Sequence, residues 1–222
     1  MKIFLDSSDL KEIEEFKDKV DGFTTNPSLM RKAGVTNYEG FCKEVLQIIG
    51  NKPVSFEVFA DDFVEMERQA RKIASWGNNI YVKIPVINTK GELSEELLHK
   101  LLDSRIKVNL TAITNKLYFD SLTTTPLIIS IFAGRIADTG IDPTRFFSKI
   151  ILPVRSKIEL LWASTREVLN IYQAEQAGAD IITCTADIIR KYEKFKGMDL
   201  NELSLLTVQQ FYADAKASGY TL

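Results

Sequence analysis

The chain has 222 residues, with 28 Lys+Arg against 30 Asp+Glu, a formal net charge of −2, 45% hydrophobic residues and 26% charged residues. Those are globular values that exclude dominant disorder, and the length fits one α/β barrel of roughly 200–250 residues or two smaller domains. The lack of a basic excess argues against a nucleic-acid partner, and no run reaches the roughly 18 apolar residues of a membrane span.

The first β-like run covers residues 2–6 (Met-Lys-Ile-Phe-Leu-Asp from the start of the chain). Asp6 stands where a signal peptide would keep an apolar core, which predicts a cytoplasmic protein. A helix follows over 8–19, with Ser7 or Ser8 as N-cap. Residues 22–25 form a second strand, and Asn26-Pro27-Ser28 opens another helix. The third strand is 54–60; its helix, 61–75, carries Phe63, Met66, Ala70 and Ile73 at helical spacing. Strand 80–85 precedes helix 92–102, strand 107–110 precedes helix 112–122, and strand 127–132 precedes helix 143–156. Strand 158–163 leads to helix 165–177, and strand 180–184 to helices over 186–195 and 200–217.

Eight β-then-α units in this length predict a single-domain α/β chain, residues 1–222, folded as a closed parallel (β/α)8 TIM barrel. A doubly wound open sheet is the main competitor, but it uses fewer strands and the chain has no Gly-x-Gly-x-x-Gly turn. The extra C-terminal helix, about 200–217, has no strand partner; it either caps the barrel or contacts a neighbouring subunit.

Cys42 and Cys184 are the only cysteines and His99 the only histidine. Two distant cysteines make no disulfide framework and no zinc site, so they read as small buried hydrophobes. With a single histidine, on a helix and read as a surface residue, no metal is expected. Chemistry therefore falls to Lys, Asp, Glu, Ser, Thr, Tyr and Arg.

In such a barrel the reactive groups stand at the carboxyl ends of the strands. Those ends carry Asp6; Thr24, Thr25 and Asn26; Glu57; Lys83; Asn109 and Thr111; Ser130, Phe132 and Arg135; Ser164 and Arg166; Thr183 and Thr185. Lys83 lies in the nearly all-apolar run Ile80-Tyr81-Val82-Lys83-Ile84-Pro85. Desolvation there disfavours the ammonium and favours the neutral amine that attacks carbonyls. The bland alternative is a packed stem whose head reaches a carboxylate. Asp6 and Glu57 are candidates for moving protons on and off substrate hydroxyls, or else ion-pair partners of Lys83 or an arginine. Asn26, Asn109 and Thr111 suit sugar hydroxyls or a water, or serve as turn and cap residues. Arg135, Ser164 and Arg166 suit a phosphate, with Ser164-Thr165-Arg166 read as opening a helix; the alternative is surface ion pairing. The Lys- and Glu-rich stretch 91–100 reads as a solvated helix face.

Six segments, in order and at suitable spacing, carry a resemblance over essentially the whole chain. They are Phe4-Leu5-Asp6-Ser7, Thr24-Thr25-Asn26-Pro27-Ser28, Val82-Lys83-Ile84-Pro85, Asn109-Leu110-Thr111, Ser130-Ile131-Phe132-Ala133-Gly134-Arg135-Ile136 and Ala163-Ser164-Thr165-Arg166. The sequence resembles the transaldolases, in the short-chain branch that also includes the fructose-6-phosphate aldolases. The resemblance implies that Lys83 is the Schiff-base lysine and that Asp6 handles the hydroxyl at the cleaved carbon–carbon bond. It implies that Glu57 and Thr111 position a catalytic water, and that Asn26, Asn109 and Ser130 contact the dihydroxyacetone unit. Arg135, Ser164 and Arg166 match the phosphate site, and Phe132 lines the substrate.

Glu57 and Phe132 also choose between the branches, because the aldolases that resemble this chain carry Gln and Tyr there. The implied activity is therefore cofactor-free transfer of a dihydroxyacetone unit in the pentose phosphate pathway. The donor is sedoheptulose 7-phosphate or fructose 6-phosphate, and the acceptor glyceraldehyde 3-phosphate or erythrose 4-phosphate. Release of free dihydroxyacetone is the near alternative, and a catalytically silent sugar-phosphate-binding protein the remote one. Similar short transaldolases assemble as pentamers and decamers, which implies a homo-oligomer. Small departures are Ser7 and Ser8, where Thr is frequent, and Ile131, where Pro is common.

Overall fold

The computed structural model describes residues 1–115, 125–147 and 158–221. Eight parallel strands close into a barrel in chain order: β1 (Lys2–Asp6), β2 (Gly22–Thr24), β3 (Val54–Glu57), β4 (Ile80–Pro85), β5 (Val108–Ile113), β6 (Leu127–Ile131), β7 (Ile158–Trp162) and β8 (Ile181–Cys184). Strand β8 returns to β1 through Phe4↔Thr183 and Leu5↔Cys184. The helices are α1 (Leu10–Phe16), α2 (Pro27–Lys32), α3 (Tyr38–Ile49), α4 (Phe63–Ala74), α5 (Glu95–Asp103), α6 (Ala133–Asp138), α7 (Pro143–Phe147), α8 (Leu169–Gln176), α9 (Ala186–Phe195) and α10 (Leu200–Ser218).

The period of two along each strand sorts the side chains into two cores. Outward residues such as Leu5, Phe23, Phe56, Val82, Ile84, Leu110 and Trp162 join helix residues including Phe16, Met66, Leu101 and Ile171 in one large apolar layer. Each fully buried side chain of this size contributes roughly 1.5–3 kcal/mol. Inward residues Phe4, Ile128, Leu161, Ala163 and Ile181, with Tyr81 and Phe132 against them, fill the barrel itself. A polar belt also crosses the interior. The Asn109 amide donates to Ser55 Oγ at 3.0 Å, and Ser130 Oγ donates to Asn109 Oδ1 at 2.6 Å, all three residues being buried.

Several boundaries differ from the sequence reading, each for a local reason. Helix α1 starts at Leu10 because Asp9, rather than Ser7 or Ser8, accepts from the Lys11 amide; Ser7 instead donates to Glu12 and accepts from the Asp9 amide. Helix α4 starts after Asp62, which accepts from the Val64 and Glu65 amides. Helix α5 starts three residues late because Ile87 and Leu93 pair in a small antiparallel bridge. Strand β3 ends at Glu57 rather than at 60, and α3 and α6 had no counterpart in the reading.

Strand β5 runs on to Ile113 through a shift in its pairing with β6, with Ala112 at φ 62°. The helix expected over 112–122 therefore does not begin at 112, and its residues 116–122 lie outside the described residues. Of the helix expected over 143–156, residues 143–147 are α7 and the remainder lies outside the described residues. Helix α10 has no buried residue, and Leu200, Leu205, Val208, Phe211 and Tyr212 are exposed along it. It does not cap its own barrel.

Candidate active site

The inward residues at the carboxyl ends of the strands enclose a cavity of about 420 Å³. Lys83 comes from the middle of β4, where Val82 and Ile84 turn outward and leave its side chain inside the barrel, 6% exposed. Its Nζ stands 3.0 Å from Glu57 Oε2 on β3 and donates to the Thr25 carbonyl at 3.0 Å. The strand register Glu57↔Lys83 sets that pair side by side. Tyr38, on α3, donates its hydroxyl to the Glu57 carbonyl at 2.6 Å and so pins the end of β3. The amine thus satisfies a carboxylate and lines the cavity.

Asp6, at the end of β1, accepts from Thr24 Oγ1 at 2.8 Å on Oδ1 and from the Asn26 amide at 3.4 Å on Oδ2. Burial holds its carboxyl above the ordinary carboxylate value, and the Glu57 charge adds to that; the Lys83 cation and the Thr24 and Asn26 hydrogen bonds oppose it. The Asn26 carbonyl oxygen also accepts from the Leu29 amide and caps α2, so one side chain is tied to both helix and site.

Thr111 follows from the irregular end of β5. The left-handed backbone of Ala112 re-aims the strand, a device that bulges provide beside active sites. Thr111 Oγ1 is buried and has no protein hydrogen-bond partner among the described residues, although Thr111 lines the cavity. A buried hydroxyl in that state calls for a bound water or a ligand hydroxyl.

The opposite wall holds Arg135, Ser164 and Phe132. Arg135 is exposed and has no ion-pair partner among the described residues. Ser164 adopts φ 62°, and α6 packs against it so closely that only a glycine fits at 134: a Cβ there would lie 1.9 Å from the Ser164 carbonyl oxygen. This approach is what sets Arg135 beside Ser164. Burial pushes the Cys42 and Cys184 thiols up to about 12, which leaves both protonated at neutral pH. Among the described residues no three His, Cys, Asp or Glu form a group able to hold a metal, and no helix is long and apolar enough to cross a membrane.

Residues 3–221 match the family model described as transaldolase/fructose-6-phosphate aldolase. The chain belongs to this family. A probable transaldolase of Dehalococcoides mccartyi is 31% identical over 224 residues, covering 98% of this chain and 99% of the relative. A probable transaldolase of Lactiplantibacillus plantarum is 35% identical over 199 residues, covering 86% and 88%. Among solved structures, 3-hexulose-6-phosphate synthase from Salmonella typhimurium superposes with a TM-score of 0.56 over 86% of this chain and 91% of its own. Orotidine 5'-monophosphate decarboxylase from Metallosphaera sedula does so with 0.53 over 87% and 95%. Both are 15% identical, so they speak for the barrel fold alone.

Of the residues given a role from the sequence, all but Asn109 and Arg166 line the cavity of this family member, whereas Thr25 and Thr185, named only as strand ends, do not. Asn109 lies in the polar belt, 0% exposed, with its amide group engaged by Ser55 and Ser130. Arg166 is exposed and its Nη2 pairs with Asp138 at 2.8 Å. The expected helix at 164–166 does not form: α8 begins at Leu169, and Asn170 Oδ1 takes the Arg166 and Glu167 amides instead. Thr24 and Thr183 line the cavity but received no role from the sequence. The alternation along β2 and β8 was the available signal: Gly22, whose Cβ would meet the inward Phe4 ring, implies inward Thr24, and inward Ile181 implies inward Thr183.

Proposed function

We propose that this family member is a transaldolase that moves a dihydroxyacetone unit between sugar phosphates through an imine on Lys83. The observation that carries the reading is one buried amine, 3.0 Å from Glu57 and opening onto a cavity that also holds the Asp6 carboxylate and Arg135. The amine attacks the ketose carbonyl, and loss of water leaves an iminium that acts as an electron sink. Asp6 takes the proton of the hydroxyl at the bond to be cleaved. The C–C electrons pass into the iminium, an aldose phosphate leaves, and an enamine remains on Lys83. A second aldose phosphate accepts that carbon, Asp6 returns the proton, and water hydrolyses the new imine.

Glu57 and the unpartnered Thr111 hydroxyl hold the water that carries protons during imine formation and breakdown. Arg135 and Ser164 take the phosphate, with Arg166 joining them on release from Asp138. The substrates are sedoheptulose 7-phosphate or fructose 6-phosphate as donor and glyceraldehyde 3-phosphate or erythrose 4-phosphate as acceptor. Glu57 and Phe132, in place of Gln and Tyr, favour transfer over release of free dihydroxyacetone. The exposed apolar residues of α10 suit burial against a neighbouring copy in a pentamer or decamer.

Borohydride reduction in the presence of fructose 6-phosphate, read by peptide mass spectrometry, tests the reading. The expected result is a reduced three-carbon adduct on Lys83 that erythrose 4-phosphate discharges before reduction. A folded protein that binds the sugar without an adduct removes Lys83 as nucleophile and leaves a binding protein; release of free dihydroxyacetone without an acceptor makes it an aldolase.

A further inference from the structure

Three adjacent strands bring an unbroken line of oxygen atoms to Asp6. Thr183 Oγ1, on β8, lies 2.6 Å from Thr24 Oγ1, on β2, which lies 2.8 Å from Asp6 Oδ1, on β1. The pairings Phe4↔Thr183 and Asp6↔Thr24 place both threonines inside the barrel, and both are buried. Each hydroxyl has one proton to donate. An ionised Asp6 only accepts, so the Thr24 proton points to Asp6, and the 2.6 Å contact behind it is filled by the Thr183 proton.

We infer that Thr183 is a positioning residue: its hydroxyl, acting through Thr24, orients the Asp6 carboxylate and leaves Oδ2 as the oxygen that exchanges the proton with substrate. A hydroxyl that accepts a hydrogen bond becomes a stronger donor, so Thr183 strengthens the bond from Thr24 to Oδ1 and supports the ionised carboxylate. Among the described residues the Oδ2 atom has only the 3.4 Å contact from Asn26 and stays available. The titratable groups whose charges act on Asp6 are Lys83 on β4 and Glu57 on β3, and the Asp6 charge in turn acts on Cys184 on β8; none of the three lies on the line Thr183–Thr24–Asp6. The inference rests on the proposed role of Asp6, but the line of hydroxyls is testable without turnover.

The test is a carbon-13 NMR titration of the Asp6 carboxyl in the full-length protein, assigned by its loss in Asp6→Asn. Thr183→Val keeps the side-chain shape and removes only the hydroxyl; Thr183→Ser restores it. The expected result is a midpoint raised by about 0.5–1 pH unit in Thr183→Val, and close to wild type in Thr183→Ser. Thr24→Val cuts the line at its other end, raises the midpoint further, and stays informative if Thr183→Val fails to fold. In Thr24→Val, adding Thr183→Val should then change nothing more. A Thr183→Val midpoint equal to wild type, or additive shifts in the double variant, overturns the inference. Turnover separates it from the transferase reading. The acid limb of kcat/KM should follow the NMR midpoint. A shifted midpoint in a protein that forms no Lys83 adduct sinks the transferase reading and leaves the line of hydroxyls standing.

Discussion

Gly134→Ala sets two magnitudes of opposite sign against each other. Position 134 lies in the first turn of α6, where replacing Gly by Ala normally stabilises a helix by about 1 kcal/mol. Here the new Cβ would sit 1.9 Å from the Ser164 carbonyl oxygen, 1.5 Å short of the 3.4 Å at which ordinary contact begins, and 2.9 Å from Arg166 Nε. The arginine tip can swing away. The carbonyl cannot, because Ser164 is already held at φ 62° at the end of β7. Overpacking against backbone costs up to ~3 kcal/mol, which leaves a net loss of about 2 kcal/mol. For a chain of this size that lowers Tm by roughly 4–8 °C. Separating α6 from Ser164 by about 1 Å also misplaces Arg135, and kcat/KM for phosphorylated substrates should fall up to ~100-fold. Calorimetry and steady-state transfer from fructose 6-phosphate to erythrose 4-phosphate read both effects. A Tm at or above wild type with unchanged kinetics would refute the close approach and the phosphate wall built on it.

Asp6→Asn should abolish turnover yet raise Tm at pH 7. Burial places the folded pKa of Asp6 above 3.8, so the native state binds more protons than the unfolded chain in that window, and stability falls as pH rises through it. The gain should vanish below pH 4, and equal melting of the two proteins at pH 7 would sink the argument. Glu57→Gln combined with Phe132→Tyr should shift products from transfer toward free dihydroxyacetone; the idea fails if the ratio of the two products stays at the wild-type value. Arg166→Ala should raise KM for a phosphorylated ketose by about 10–100-fold with kcat largely kept. An exposed ion pair is worth no more than about 1 kcal/mol, so freeing Arg166 by Asp138→Asn should lower that KM by at most ~5-fold; a KM that rises instead argues that Asp138 holds Arg166 in its working position.

Strand type and order were legible because parity and apolarity agree. Ile80 to Pro85 is apolar except for its inward Tyr and Lys, and a polar residue at the end of nearly every strand marks the cavity rim. Helix starts were less legible where several capping residues compete: Ser7, Ser8 and Asp9 all have the chemistry, and only the fold selects Asp9. The end of β5 was illegible because a left-handed alanine carries no sequence signal, unlike a glycine. Asn109 and Ser130 share one polar belt across strands far apart in sequence, so nothing local told that the first of them faces a partner rather than the cavity. Arg166 was legible as a basic residue near a strand end, but its pairing with Asp138 follows from the short helix α6, which the residues between Phe132 and Pro143 did not announce.

The belt of Ser55, Asn109 and Ser130 divides the barrel interior into two storeys. Below it, Phe4, Ile128 and Ile181 form a plug that carries no reactive group; above it stand Lys83, Asp6 and Glu57, with Leu161 on the cavity wall at the level of Ser130. Such a partition lets heat tolerance and substrate choice be tuned separately. Volume-conserving exchanges in the lower storey alter rigidity without redrawing the contour that a sugar meets. Changes at the rim leave the plug intact. For an engineer the belt is then the floor at which a redesigned pocket should stop: cutting through it leaves an amide and two hydroxyls without partners, and merges two compartments that the fold keeps apart.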